Sequence, residues 1–163
     1  MKKEISHPVY GQIVYEENIW TGKKTVCVNG TPLRQLMKNT YTLPWGATEV
    51  PVITKGGFMG GVVLQIESEE IRIFQKPTWY DWALCLLPFL LIVIWGNSVQ
   101  LCSIVPVVGG ALGGGLGGAG LGLAMALTRE KPLLRKIVIA LLVTAGTFAV
   151  GAALGFAVLM ALV

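Results

Sequence analysis

The order of apolar and polar positions divides the chain into two parts of different character. From Gln12 to Phe74, short runs alternate between apolar and polar residues, with turn residues between them. Alternation with a period of two marks half-buried strands. It predicts strands at 12–16, 24–28, 41–43, 50–54, 62–66 and 70–74. Asn29-Gly30 is a strong turn signal, because both residues tolerate positive φ. Lys55-Gly-Gly-Phe and Glu67-Ser-Glu-Glu read as the turns between the last three strands. A helical period is present only at 33–38. A head of this pattern buries one face of each strand, and a small antiparallel sandwich is the expected result.

The alternation stops at Lys76-Pro77. Thr78-Trp-Tyr-Asp-Trp82 reads as an interfacial belt, with Trp79, Tyr80 and Trp82 at headgroup level and Trp95 at the opposite interface. The apolar tract between them predicts a helix over 79–96, about 27 Å long and just enough to span, which Pro88 would kink. A second apolar tract is dense in glycine yet has no polar residue for water to favour, so a continuous helix over 101–127 is expected in lipid. A third helix is expected over 133–163. The predicted class is an α+β membrane protein: a head over 1–76, then a three-helix membrane domain over 77–163.

Charge sharpens the division. Residues 1–81 hold nine of the thirteen Lys and Arg and eight of the nine acids. Downstream, only Arg129, Glu130, Lys131, Arg135 and Lys136 are charged. A charge at bilayer depth costs roughly 2.5 kcal/mol or more, so two long uncharged tracts around one charged loop suit a membrane module. Arg129, Lys131, Arg135 and Lys136 lie in that loop, the loop near Ser98 has no charge, and Lys76 precedes the first helix. The positive-inside rule then predicts a cytoplasmic head and an external C-terminus. No apolar leader opens the sequence, so the first apolar tract is expected to drive insertion.

Most of the net charge of +4 comes from this loop, and it does not indicate nucleic-acid binding. Three cysteines, Cys27, Cys85 and Cys102, form no framework and suit a reducing compartment. Cys27 reads as a core filler, and His7, the single histidine, as exposed. Neither a metal cluster nor a His-based triad can be assembled, and no cofactor is expected. Gly115-Leu-Gly117-Gly-Ala-Gly120 matches the dinucleotide-binding spacing, but no strand precedes it and no acid lies about twenty residues on. Glycines recurring every fourth residue fit helix packing instead. The candidates are Gly109, Gly113 and Gly117, then Gly110, Gly114, Gly118 and Gly122, with Gly151 and Gly155 in the third helix.

The run Ile13-Val-Tyr-Glu-Glu-Asn-Ile-Trp-Thr-Gly-Lys-Lys-Thr-Val-Cys-Val-Asn-Gly30 resembles a strand–turn–strand of the Fas apoptotic inhibitory molecule family. Tyr41-Thr-Leu and Gly57-Phe-Met-Gly-Gly-Val-Val-Leu-Gln-Ile-Glu67 are similar to the strands completing one half of such a protein. The likeness implies a compact, non-catalytic β-sandwich acting through protein contacts. This chain carries one half only, joined to a membrane module, so an apoptotic role is not implied.

The expectation is therefore a non-enzymatic, membrane-tethered interaction protein. Its head would bind a cytoplasmic protein and its glycine-rich helices would contact lipid and form a homo-oligomer. The alternative is a small oligomeric channel with the glycine-rich helix lining or bracing the pore.

Overall fold

Nine strands and four helices make up residues 1–161, which the computed structural model describes. The strands form two antiparallel sheets in which each strand pairs with its neighbours in the chain. The first contains β1 (Lys2–His7), β2 (Gly11–Glu17), β3 (Lys24–Val28) and β4 (Thr31–Pro32). The second contains β5 (Arg34–Met37), β6 (Thr40–Trp45), β7 (Thr48–Gly57), β8 (Gly61–Ile66) and β9 (Glu69–Phe74). Alternation decides which side chains go inward. Ile13, Tyr15 and Val26 of the first sheet join Val52, Val62, Leu64, Ile66 and Ile73 of the second in one fully buried core. Each such side chain stabilises the fold by roughly 1.5–3 kcal/mol when withdrawn from water.

Three details differ from the sequence reading. Residues 34–37 are a strand, not a helix, because a short segment gains more by pairing with Thr42 and Tyr41 of β6 than by closing one helical turn. Residues 2–7 form an edge strand against β2, which withdraws His7 from solvent. Its ring stacks on Tyr10 at 5.1 Å, and its Nε2 lies 3.1 Å from Glu69 Oε1. Cys27 alternates with buried Val26 and Val28, so it lies half-buried on the outer face instead of filling the core.

Glu17 and Tyr41, both buried in the head, have hydrogen-bond partners. Glu17, only 3% exposed, accepts from the Tyr15 hydroxyl at 2.8 Å and from the Phe58 N–H at 3.4 Å. The Tyr41 hydroxyl donates to Lys24 O at 2.9 Å, and burial pushes its phenol up from the usual range.

A second unit begins at Thr78 and is helical. It contains α1 (Trp79–Gly96), α2 (Val99–Ile104), α3 (Gly110–Thr128) and α4 (Leu133–Ala161). The long helices α1, α3 and α4 are long and apolar enough to cross a membrane, with mean hydropathies of 1.7, 1.4 and 2.4. Pro88 is accommodated inside an unbroken α1. Positions 162–163 of the predicted third helix lie outside the described residues.

The expected continuous helix over 101–127 is two helices with an extended segment between them. Pro106 has no N–H to donate and biases Val105 toward extended backbone, where it lies at φ −136° and ψ 113°. A broken backbone is tolerated in an apolar setting only where protein groups satisfy it. Here they do. Trp95 Nε1 donates to Val105 O at 3.0 Å, and Val108 N donates to Gly151 O at 3.2 Å. Cys102 Sγ donates to Trp95 O at 3.2 Å.

Candidate functional site

The glycines of α3 fall on two faces with different surroundings. On the inner face, contacts run in opposite directions along α1 and α3. Gly109 meets Gly96, Gly113 meets Ile92, Gly117 meets Phe89 and Gly120 meets Pro88. A Cβ at Gly109 would overlap Gly96 O, and one at Gly113 would overlap Val108 O. At Gly117 it would lie 3.0 Å from Phe89 Cα. The α1 backbone leaves no room for a side chain at Gly109, the preceding Val108 leaves none at Gly113, and Gly117 sits tight against Phe89, as small-residue seams allow. α4 extends the seam. Gly151 lies against Ile92 and Val107, and a Cβ at Gly155 would overlap the carbonyl of Pro106.

Gly110, Gly114, Gly118 and Gly122 do not join this seam. A Cβ at any of the four would have no heavy atom within 4 Å. The four-residue spacing offers Gly114 and Gly118, near the middle of the tract, as one place for a close helix contact. Within the chain that contact falls instead on Gly113 and Gly117, one residue earlier on each turn. Gly120, which no four-residue pairing singled out, completes the seam, with Thr147 Oγ1 beside it.

At the charged end of the helical unit, polar side chains meet. Asp81 and Lys136 are about nine-tenths buried, and Lys136 Nζ lies 2.5 Å from Asp81 Oδ1. Asp81 Oδ2 also accepts from Thr78 N at 2.9 Å and Thr78 Oγ1 at 2.8 Å, which closes the start of α1. Lys136 Nζ sits 5.4 Å from the Tyr80 ring centroid. Cys85 Sγ lies 3.6 Å from Thr128 Oγ1, whose hydroxyl donates to Ala124 O.

The chain matches no family model, no curated protein and no solved structure.

The remaining candidates separate into inward and outward groups. Trp79 is 81% exposed, while Tyr80 and Trp82 are a little over one-third exposed. Trp95 differs from them: it packs edge-on against Phe148 at 4.9 Å and donates its indole N–H to the chain break. Lys131 and Arg135 are exposed and Arg129 is half-buried. Lys136 differs from the exposed Lys131 and Arg135, because it is buried against Asp81. Sequence reasoning places Asp81 in the interfacial belt and gives it no role of its own. Its signal was Thr78-x-x-Asp81 opening an apolar run, a pattern that places a carboxylate at a helix start. Among the described residues, no group of three His, Cys, Asp or Glu side chains is placed to hold a metal ion.

Proposed function

We propose that this chain is a membrane-tethered, non-enzymatic interaction protein whose helical unit self-associates in the bilayer while the sandwich engages a protein partner at the cytoplasmic face. The observation carrying this reading is the open stripe of Gly110, Gly114, Gly118 and Gly122 beside a seam already filled. A helix face without side chains leaves backbone accessible, and another helix backbone can approach it closely enough to gain dispersion contact. A second copy with the same topology presents the same stripe, so a two-fold axis along the membrane normal brings the two stripes together. The resemblance of the head to the Fas apoptotic inhibitory molecule family supports a non-catalytic sandwich that works by contact.

Gly114→Leu with Gly118→Leu tests the stripe. Both sites are open within the chain, so insertion and monomer folding are expected to persist while the mass in mild detergent falls to that of one chain. An unchanged oligomer, or a wild-type protein that is already monomeric, would remove self-association.

Topology has its own test. In a background without native cysteines, Asn97→Cys is expected to react with impermeant maleimide on intact cells and Lys131→Cys only after permeabilisation. Both positions are exposed, unlike Thr128, which is 2% exposed. The reverse labelling pattern would overturn the charge argument.

A further inference from the structure

The second sheet of the head opens into a cleft of about 450 Å³ where the β7–β8 hairpin meets the chain leaving β9. Lys55, Arg72 and Lys76 line it, with Gly56, Gly61 and Gln75. Register places the first two cations at matching positions on the strands either side of β8. Lys55 pairs with Val63 across β7 and β8, and Val63 pairs with Arg72 across β8 and β9. Their neighbours Thr54, Ile71 and Ile73 are buried, so Lys55 and Arg72 share the outer face. A register shift between Val62 and Val63 bends β9 there. Gly61, at φ +90°, lets the departing chain pass close, since a Cβ would lie 3.1 Å from Lys76 N.

The cleft wall is held from behind. Glu17 accepts from Phe58 N, and Lys24 Nζ donates to Gly56 O at 2.5 Å. No carboxylate is among the described lining residues, and Glu70 reaches Lys55 from beside the cleft at 2.9 Å. Arg72 and Lys76 therefore bring two cations without a carboxylate partner among the described residues to a formed concavity, beside a Lys55 that Glu70 already pairs.

Chain connectivity bears on what enters. Lys76 is three residues from Trp79, and three extended residues reach at most about 10 Å. That distance is comparable to the Debye length of roughly 8 Å at physiological salt. Whatever the tilt of the head, the chain cannot carry this lining cation further than that from Trp79. We propose that the cleft binds the phosphate of an anionic phospholipid headgroup in the leaflet from which α1 departs. The proposal rests on the membrane placement argued above, with the head on the cytoplasmic side, where anionic lipids are concentrated.

The test uses the full chain in nanodiscs of phosphatidylcholine into which phosphatidylglycerol is titrated. Co-elution with neutral discs reports membrane placement separately from the cleft. Amide hydrogen exchange over 55–61 and 72–76 is expected to slow as the anionic lipid is added. In Arg72→Gln with Lys76→Gln, the half-saturating lipid fraction is expected to rise roughly 30-fold, at about one order of magnitude for each 1.4 kcal/mol and near 1 kcal/mol per cation. Lys23→Gln with Lys38→Gln removes two exposed cations elsewhere and is expected to leave the protection intact. Equal exchange in neutral and anionic discs would overturn the proposal, as would equal weakening by the two double variants. Protection by inorganic phosphate in neutral discs, matching that of the lipid, would also overturn it in favour of a free anion.

Discussion

Gly113→Leu with Gly117→Leu is expected to abolish the folded helical unit. Both glycines lie where α3 meets backbone: Val108 O beside Gly113, and Phe89 Cα beside Gly117. Backbone cannot move aside as a flexible side chain can. Overpacking a formed core typically costs about 1–3 kcal/mol per site, and two such sites on one seam compound each other. Thermal unfolding in detergent, followed by size-exclusion profile, is expected to show an early-melting or aggregated species. The same Leu pair placed one residue later, at Gly114 and Gly118, adds identical volume and hydrophobicity where a Cβ has no neighbouring heavy atom within 4 Å. The monomer should therefore tolerate it. Equal melting of the two double variants would show that the seam has no special role.

The second large effect is expected at Asp81. Removing its carboxylate leaves Lys136 buried without its partner and frees the Thr78 N–H and hydroxyl. Breaking a buried pair from one side costs about 3–5 kcal/mol, because the remaining charge has lost both water and counter-charge. Asp81→Ala is therefore expected to weaken the docking of α4 on α1, read as a lower melting temperature in detergent. Combining it with Lys136→Met removes the orphaned charge and is expected to restore most of the loss. The comparison separates an electrostatic latch from a side chain that merely fills space. If Asp81→Ala alone melts like the wild type, Lys136 reaches solvent unaided and the latch has no energetic weight.

Both effects concern residues whose importance depends on what lies opposite them. The period-two runs from Gln12 to Phe74 placed six strands because alternation is a local property of extended backbone. The turn at Asn29-Gly30 was legible for the same reason, since Asn29 and Gly30 both take positive φ, at 50° and 80°. Two of the edge strands, β1 and β5, were not. Residues 2–7 have little core to bury, and 34–37 lie wholly exposed, so only pairing to a neighbour makes either a strand.

The helical unit divides along the same line. Apolar length and the confinement of charge placed three long helices, because desolvation of charge depends on composition and not on partners. The break at Pro106 was present in the sequence as a missing donor. Whether the chain could leave the helix there depended on distant groups, Trp95 Nε1 and Gly151 O, that could satisfy the freed backbone. The glycine spacing likewise defined two stripes of equal standing on a helix. Three-dimensional packing alone chose Gly113 and Gly117 for the interior and left Gly114 and Gly118 open, because about 100° of helix rotation separates adjacent residues and only one face can meet α1. The pairing of Asp81 with Lys136, fifty-five residues apart, is of the same kind: sequence supplied the charges, and the docking of α4 on α1 brought them together.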